Sequence, residues 1–129
     1  SSDLEDVLAC IARGVDCFDS VYPTQNARHN TLFTSKGRLL LDKAKHAIAF
    51  KPIDETCACP VCKRFTLAYL HHLTKIQEPS AKRLKSVHNV AFMMNLMKEA
   101  RKAIKEKRFT PFRKNIEKYY PSATSTTSP

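Results

Sequence analysis

Three cysteines, Cys57, Cys59 and Cys62, stand within six residues of one another, and His88 follows further along the chain. Three thiolates and one imidazole form a ligand set that Zn2+ takes in closed tetrahedral sites. So compact a grouping, in a chain with an odd total of five cysteines, suits a metal better than a disulfide framework. With four protein ligands and no open position, the ion would hold the fold together and would not activate water. The pattern predicts one structural zinc ion.

Spacing alone does not choose the histidine. His71 and His72 lie on the helix predicted directly after the cysteines and could bend back towards them, whereas His88 lies on a later predicted helix. A ligand at His88 would let the ion join the cysteine loop to that later helix.

A second candidate for chemistry is a carboxylate in the short apolar run Val15–Val21, which is predicted to be a buried strand. Burying an aspartate costs a few kcal/mol unless its charge has a partner or a functional role. A carboxylate at a strand end can attack a sugar C1′. Asp19 is therefore the candidate nucleophile and Asp16 its rival, with a salt bridge or a cap as the alternative for either. Cys10 and Cys17 are predicted to be core.

The elements that must position these residues follow from apolar spacing and from turn residues. Helices are predicted at about 3–13, 43–50, 63–76, 80–107 and 109–120, a hairpin at 32–34 and 38–41, a polar turn-forming segment at 24–30, and a disordered tail at 121–129. The predicted helix after the cysteines would pack through Phe65, Tyr69, Leu73 and Ile76. The longest would turn inward Leu84, Val87, Ala91, Met94, Ala100 and Ile104, and outward Lys98, Arg101, Lys105 and Lys107.

Charge points to a partner class. The 129 residues carry a formal net charge of +10, with 22 Lys and Arg against 12 Asp and Glu. This charge favours nucleic acid as the partner, and a solubilising surface is the alternative. No apolar run is long enough for a membrane helix, the N-terminus lacks the pattern of a signal peptide, and the reduced thiols indicate the cytosol.

Several motifs together resemble one family, the tRNA-guanine transglycosylases of the bacterial and eukaryotic type, over about residues 3–113. The resemblance rests on the segments Gly14–Val21, Pro23-Thr24, Arg28, Phe33-Thr34, Pro52–Asp54, Cys57-x-Cys59-x-x-Cys62, Tyr69-Leu70-x-His72-Leu73 and His88-Asn89.

This resemblance implies an α/β fold: the C-terminal part of a (β/α)8 TIM barrel with an inserted zinc-binding subdomain, mostly helical with a few short strands. Residues 1–23 would be the seventh helix and eighth strand, 24–79 the zinc subdomain, 80–120 the closing barrel helix and a C-terminal helix, and 121–129 the tail. The ligand set implied is Cys57, Cys59, Cys62 and His88.

For the reaction, the resemblance implies that Asp19 attacks the wobble ribose of tRNA as guanine leaves, and that a 7-deazaguanine base then displaces Asp19. Arg28, with Thr24 and Gln25, would contact phosphates of the anticodon loop. Gln25 replaces a family arginine, which removes one cation. Asn30 replaces a family glycine and tolerates the same left-handed backbone.

Length limits what the chain can do, because a whole barrel needs about 250 residues. The chain is therefore predicted to be a fragment, a truncated product or one piece of a split enzyme, inactive alone and lacking the residues that would distinguish queuine from its bacterial precursor. A zinc-stapled module that binds tRNA or a partner subunit without catalysis is the alternative, and an archaeal-type enzyme ranks last. The family implies a homodimer or a heterodimer with a related subunit, with Tyr69, Phe92 and Met93 either at the interface or in the core.

Overall fold

The computed structural model describes residues 27–120, which fall into two compact units, 27–94 and 95–120. The helix predicted at 3–13, the strand at 15–21 and the tail at 121–129 lie outside the described residues. The described part is mostly helical with two short strands. Its elements are β1 (Thr31–Thr34), β2 (Gly37–Leu40), a 3-10 helix (Ala44–Ile48), α1 (Pro60–Arg64), α2 (Leu67–Lys75), α3 (Pro79–Lys105) and α4 (Phe109–Tyr119).

The predicted hairpin is confirmed, with β1 and β2 antiparallel and Thr34 paired with Gly37. Gly37 has a φ of 114°, a conformation open to glycine because it has no Cβ. The Thr34 hydroxyl donates to the Gly37 carbonyl at 2.6 Å and closes the turn. Upstream, the predicted turn segment is wrong for Ala27 and Arg28, which are helical, and a turn follows them at residues 29–30.

The single helix predicted from residue 63 to 76 is wrong, because the chain breaks between α1 and α2. Phe65 ends α1 in an extended conformation, and the Thr66 side chain accepts from the Tyr69 N–H at 3.1 Å, so that it caps a new helix. The new start changes which face is buried. Tyr69 and Ile76 are exposed, while the first unit's core gathers Leu32, Leu41, Ile53, Cys59, Val61, Cys62, Leu67 and Leu70.

The long helix predicted at 80–107 is confirmed as α3, but its predicted inward face is partly wrong. Val87, Met94 and Ile104 are exposed. The buried positions of α3 instead include polar residues, since their side chains find hydrogen-bond partners on the hairpin and in the turn before it. These buried positions are Ala81, Lys85, His88, Asn89, Leu96, Ala100 and Ala103.

The second described unit contains the end of α3 and all of α4. The predicted basic helix at 109–120 is confirmed, and Lys107, with a φ of 59°, makes the left-handed turn between the two helices. Arg113 and Glu117 form an ion pair one turn apart on α4, at 3.1 Å. Among residues 27–120, no helix combines the length and hydropathy needed to cross a membrane.

Candidate metal centre

The loop that leads into the cysteines is organised by Asp54. Its carboxylate accepts the Thr56 N–H at 2.9 Å, the Thr56 hydroxyl at 2.7 Å and the Ser35 N–H at 2.7 Å. Burial raises the pKa of Asp54, but these hydrogen bonds outweigh it and the pKa lies below the ordinary value. The Asp54 carbonyl then accepts the Cys57 N–H at 3.1 Å. One charged side chain thus ties the hairpin turn to the first cysteine.

Backbone N–H groups point at the sulfurs within the cysteine loop. The Cys59 N–H donates to the Cys57 sulfur at 3.5 Å, and the Cys62 N–H donates to the Cys59 sulfur at 3.4 Å. Cys59 is the N-cap of α1, and Pro60 occupies the first helical position, where no N–H is needed. Such N–H···S contacts favour the thiolate form that metal ions bind.

His88 approaches these sulfurs with one ring nitrogen only. Its Nδ1 lies 3.9 Å from the Cys57 sulfur, 3.5 Å from the Cys59 sulfur and 3.4 Å from the Cys62 sulfur. Its Nε2 lies 2.7 Å from the Phe33 carbonyl oxygen, which can only accept, so Nε2 carries the proton. Nδ1 therefore presents its lone pair to the cysteines, which is the state required of a metal ligand.

The four ligand atoms fit a tetrahedral ion. They all lie within 4.8 Å of one another. Zinc bonds of roughly 2.3 Å to sulfur and 2.0–2.1 Å to nitrogen would put sulfur and nitrogen about 3.6 Å apart in a tetrahedron, which matches the distances from Nδ1. The group formed by Cys57, Cys59, Cys62 and His88 could therefore hold a metal ion.

Burial opposes ionisation of two of the thiols and of the imidazole. Burial raises the pKa of the Cys57 thiol and, more strongly, that of the Cys62 thiol. Burial also lowers the pKa of His88, with the hydrogen bond to the Phe33 carbonyl acting in the opposite direction, so the imidazole is neutral at pH 7. The neutral ring is ready to bind, whereas the two thiols must give up protons to a metal.

The structure brings His88 to the cysteines and leaves the other two candidate histidines out of this group. His72 is exposed on α2, and His71 is buried on the same helix. Residues 27–120 provide no hydrogen-bond partner for His71 Nε2.

Sequence reasoning missed Asn89 as part of the site. Asn89 is fully buried, its Oδ1 accepts the Phe33 N–H at 3.1 Å, and its Nδ2 donates to the Thr31 carbonyl at 2.9 Å. Together with His88, it fixes β1 against α3. The available signal was a histidine followed directly by an amide on a helix, but only the fold shows which carbonyl each of them meets.

Some of the other predicted site residues lie within the described residues 27–120, and the rest lie outside them. Arg28 is exposed, in the turn that ends at Asn30, and Asn30 has a φ of 63°, so its predicted left-handed backbone is confirmed. Residues that lie outside the described range are Cys10, Asp16, Cys17, Asp19, Thr24 and Gln25.

Comparison with known proteins places these features in context. Residues 2–122 match the family model described as queuine tRNA-ribosyltransferase. Curated proteins with that name are similar to the chain: one from Helicobacter pylori strain J99 is 49% identical over 117 residues, which is 90% of this chain and 32% of the relative. Another, from Fusobacterium nucleatum, is 48% identical over 115 residues, which is 88% of this chain and 31% of the relative. The chain thus spans about a third of the length of these relatives.

Proposed function

Because the chain belongs to the queuine tRNA-ribosyltransferase family, we propose that it supplies the nucleophile and the metal-bearing part of a tRNA-guanine transglycosylase. The enzyme would exchange the wobble guanine of tRNA for queuine or its 7-deazaguanine precursor. The observation that carries the proposal is the family match over residues 2–122, within which the four-residue metal-ligand group is assembled. Residues 1–23 would then be the end of a TIM barrel, 24–79 the zinc subdomain and 80–120 the closing and C-terminal helices.

The proposed chemistry is a double displacement at the ribose. An Asp19 carboxylate oxygen bonds to C1′ while the bond from C1′ to guanine N9 breaks, and guanine leaves with that electron pair and takes up a proton. The incoming 7-deazaguanine then loses a proton, bonds to C1′ and releases Asp19 as a carboxylate. Two inversions give overall retention.

We assign zinc as the metal of this enzyme because three thiolates with one imidazole form a set typical of structural zinc sites. Bound there, the ion supplies charge that stabilises the thiolates and four bonds that hold the loop to the helix. The chain's own residues do the rest: Asp54 orders the loop entry and Asn89 fixes the strand behind His88.

RNA binding is proposed at the segment that carries Thr24, Gln25 and Arg28. The support is the exposed guanidinium of Arg28 and the net charge of +10, which together favour a polyanion. Contacts from this segment to backbone phosphates would position the anticodon loop without reading its sequence.

A homodimer, or a heterodimer with a related subunit, is proposed through the exposed face of α2. Tyr69 is 45% exposed and its ring stacks on that of Phe65, with centroids 5.4 Å apart. Phe92 instead lies against Phe33, at 5.7 Å between centroids, which is a core contact. Sedimentation of the chain with Tyr69→Ser beside the unchanged protein tests this, since a dimer that persists in the variant contradicts the assignment.

We place the enzyme in the cytoplasm, where three reduced cysteines are stable.

A chimera with a relative tests the function, because the relative supplies the remaining strands of the barrel. The corresponding segment of the Helicobacter pylori relative is replaced by this chain, and incorporation of labelled guanine into a tRNA with a wobble guanine is measured. We expect incorporation that is abolished by Asp19→Asn and retained by the matched control Asp16→Asn. The 129-residue chain is assayed in parallel and is expected to be inactive.

Each result decides between the enzyme and the non-catalytic module. A chimera that is folded and loaded with zinc but does not incorporate guanine would favour a tRNA-binding or partner-subunit module in which Asp19 is unused. Incorporation that survives Asp19→Asn would assign the nucleophile elsewhere. Incorporation by the chain alone would show that it needs no further strands.

A further inference from the structure

Lys85 is a lysine in an unusual position. It lies on α3 with 3% of its surface exposed, and its Nζ donates to Asn30 Oδ1 at 2.6 Å. The ion pairs between described residues join Arg108 to Glu106 and Arg113 to Glu117, so no carboxylate within 27–120 neutralises Lys85. Burial lowers the pKa of Lys85, and the nearby charge of Lys82 lowers it further.

The acceptor of this bond, Asn30, is the residue that closes a turn. Its N–H donates to the Ala27 carbonyl at 3.1 Å and its carbonyl accepts the Leu41 N–H at 2.9 Å. With the bond from Lys85, three polar atoms of Asn30 are held, and its backbone stays left-handed at a φ of 63°. Arg28 lies inside this turn and is exposed, whereas Ala27 is fully buried. The turn therefore has an anchored start and an anchored end, with the guanidinium between them.

A contribution to the stability of the fold does not explain why a lysine occupies position 85. Lys85 is a buried cation that has no carboxylate partner among residues 27–120, so it loses hydration, and an apolar side chain of similar length would fill the same space without that cost. An apolar side chain could not, however, donate a hydrogen bond to Asn30 Oδ1.

We propose that Lys85 is a positioning residue for RNA binding: by fixing Asn30, it holds the turn that presents Arg28 to a backbone phosphate. The inference rests on the proposed function, because it takes RNA as the ligand of Arg28. Lys85 acts through Arg28 and does not itself contact the phosphate, since only 3% of its surface is exposed. Without the hydrogen bond from Lys85 to Asn30, the Arg28 side chain samples more orientations, and RNA binding must then restrict this additional freedom.

The test is a double-mutant cycle on the 129-residue chain, with a tRNA anticodon stem-loop carrying a wobble guanine as the probe. Lys85→Met, Arg28→Gln and the double variant are compared by fluorescence anisotropy. We expect Lys85→Met to weaken binding about 3- to 10-fold and to have no further effect in the Arg28→Gln background. Additive losses would overturn the inference, because they would mean that Lys85 contacts RNA independently.

Lys82→Met is the matched control, because it removes the same charge from an exposed position on the same helix. Equal weakening by Lys82→Met would overturn positioning in favour of a general charge effect. Zinc content and circular dichroism verify that each variant is folded. If Lys85→Met fails to fold, Asn30→Gly, which keeps the backbone conformation but removes Oδ1, replaces it in the cycle with the same expectations.

Hydrogen exchange separates this inference from the proposed function. If Lys85 holds the turn, Lys85→Met speeds exchange of the Asn30 and Leu41 amides about tenfold, while Lys82→Met does not. Unchanged exchange of these two amides in Lys85→Met would show that Lys85 does not hold the turn, even if RNA binds. An unchanged chain that does not bind the stem-loop would overturn RNA as the ligand, and with it both the proposed RNA segment and the positioning role, whatever the exchange rates show.

Discussion

Metal affinity is expected to depend steeply on pH, because protons compete for the thiols. Burial raises the pKa of both Cys57 and Cys62, so both are protonated in the metal-free protein at pH 7. The pKa of His88 is lowered, so the imidazole is already neutral and releases no proton. Binding therefore displaces at least two protons, and each makes affinity tenfold higher per pH unit. From pH 6.5 to 7.5 the affinity for Zn2+ should rise at least about 100-fold, or about 2.7 kcal/mol.

Competition with a chromophoric chelator at these two pH values measures that rise. Calorimetric titration in two buffers with different ionisation enthalpies counts the protons directly. Cys62→Ser should remove tight binding, while the control Cys10→Ser, outside the ligand group, should leave both the affinity and its pH dependence unchanged. A rise of less than about 100-fold between these pH values, or release of fewer than two protons, would refute the reasoning, because it would mean that at least one of the two thiols is ionised before the metal arrives.

Two further changes test the supports of the centre. Asn89→Leu leaves the Phe33 N–H and the Thr31 carbonyl without their side-chain partner. At about 1–3 kcal/mol for each group, urea unfolding of the zinc-loaded chain should show a loss of about 2–6 kcal/mol. A loss below about 1 kcal/mol would contradict these bonds. Asp54→Asn should lower stability at neutral pH. Since the pKa of Asp54 is lowered below 3.8 on folding, this difference should be complete above about pH 5 and shrink as pH falls through the folded pKa. A difference independent of pH between 3 and 7 would show that the carboxylate charge is not what matters.

The metal-ligand group was largely visible in the sequence, whereas its supports were not. Three cysteines within one loop are a local pattern, so Cys57, Cys59 and Cys62 could be assigned from spacing. The histidine could not, because the choice between His71, His72 and His88 depends on how two helices return to the loop. Only the family resemblance pointed to His88, and the structure places His88 Nδ1 against the sulfurs of Cys59 and Cys62.

Local rules also explain where the element predictions succeeded and failed. The hairpin was predictable because its turn contains Gly37. The break before α2 was missed because apolar spacing runs through it, although Thr66 carried a capping signal. On α3, hydrophobic spacing selected Val87 and Met94, while the buried face holds Lys85 and Asn89. Lys85 and Asn89 can be buried there because they hydrogen-bond to residues that are distant in sequence. Such partners cannot be recognised from the spacing of hydrophobic residues.

The small sheet has a further property that follows from its side-chain partners. A two-stranded ribbon normally offers a row of unpaired backbone groups along each edge, and such edges template the addition of foreign strands. Along β1, Asn89 and His88 occupy the N–H and carbonyl groups of Phe33. Along β2, the Leu40 carbonyl accepts the Lys43 N–H and a hydrogen bond from His46. His88 and Asn89 thus also shield the β1 edge of the ribbon against aggregation, so a protein stripped of its metal is expected to lose solubility together with its ligand geometry.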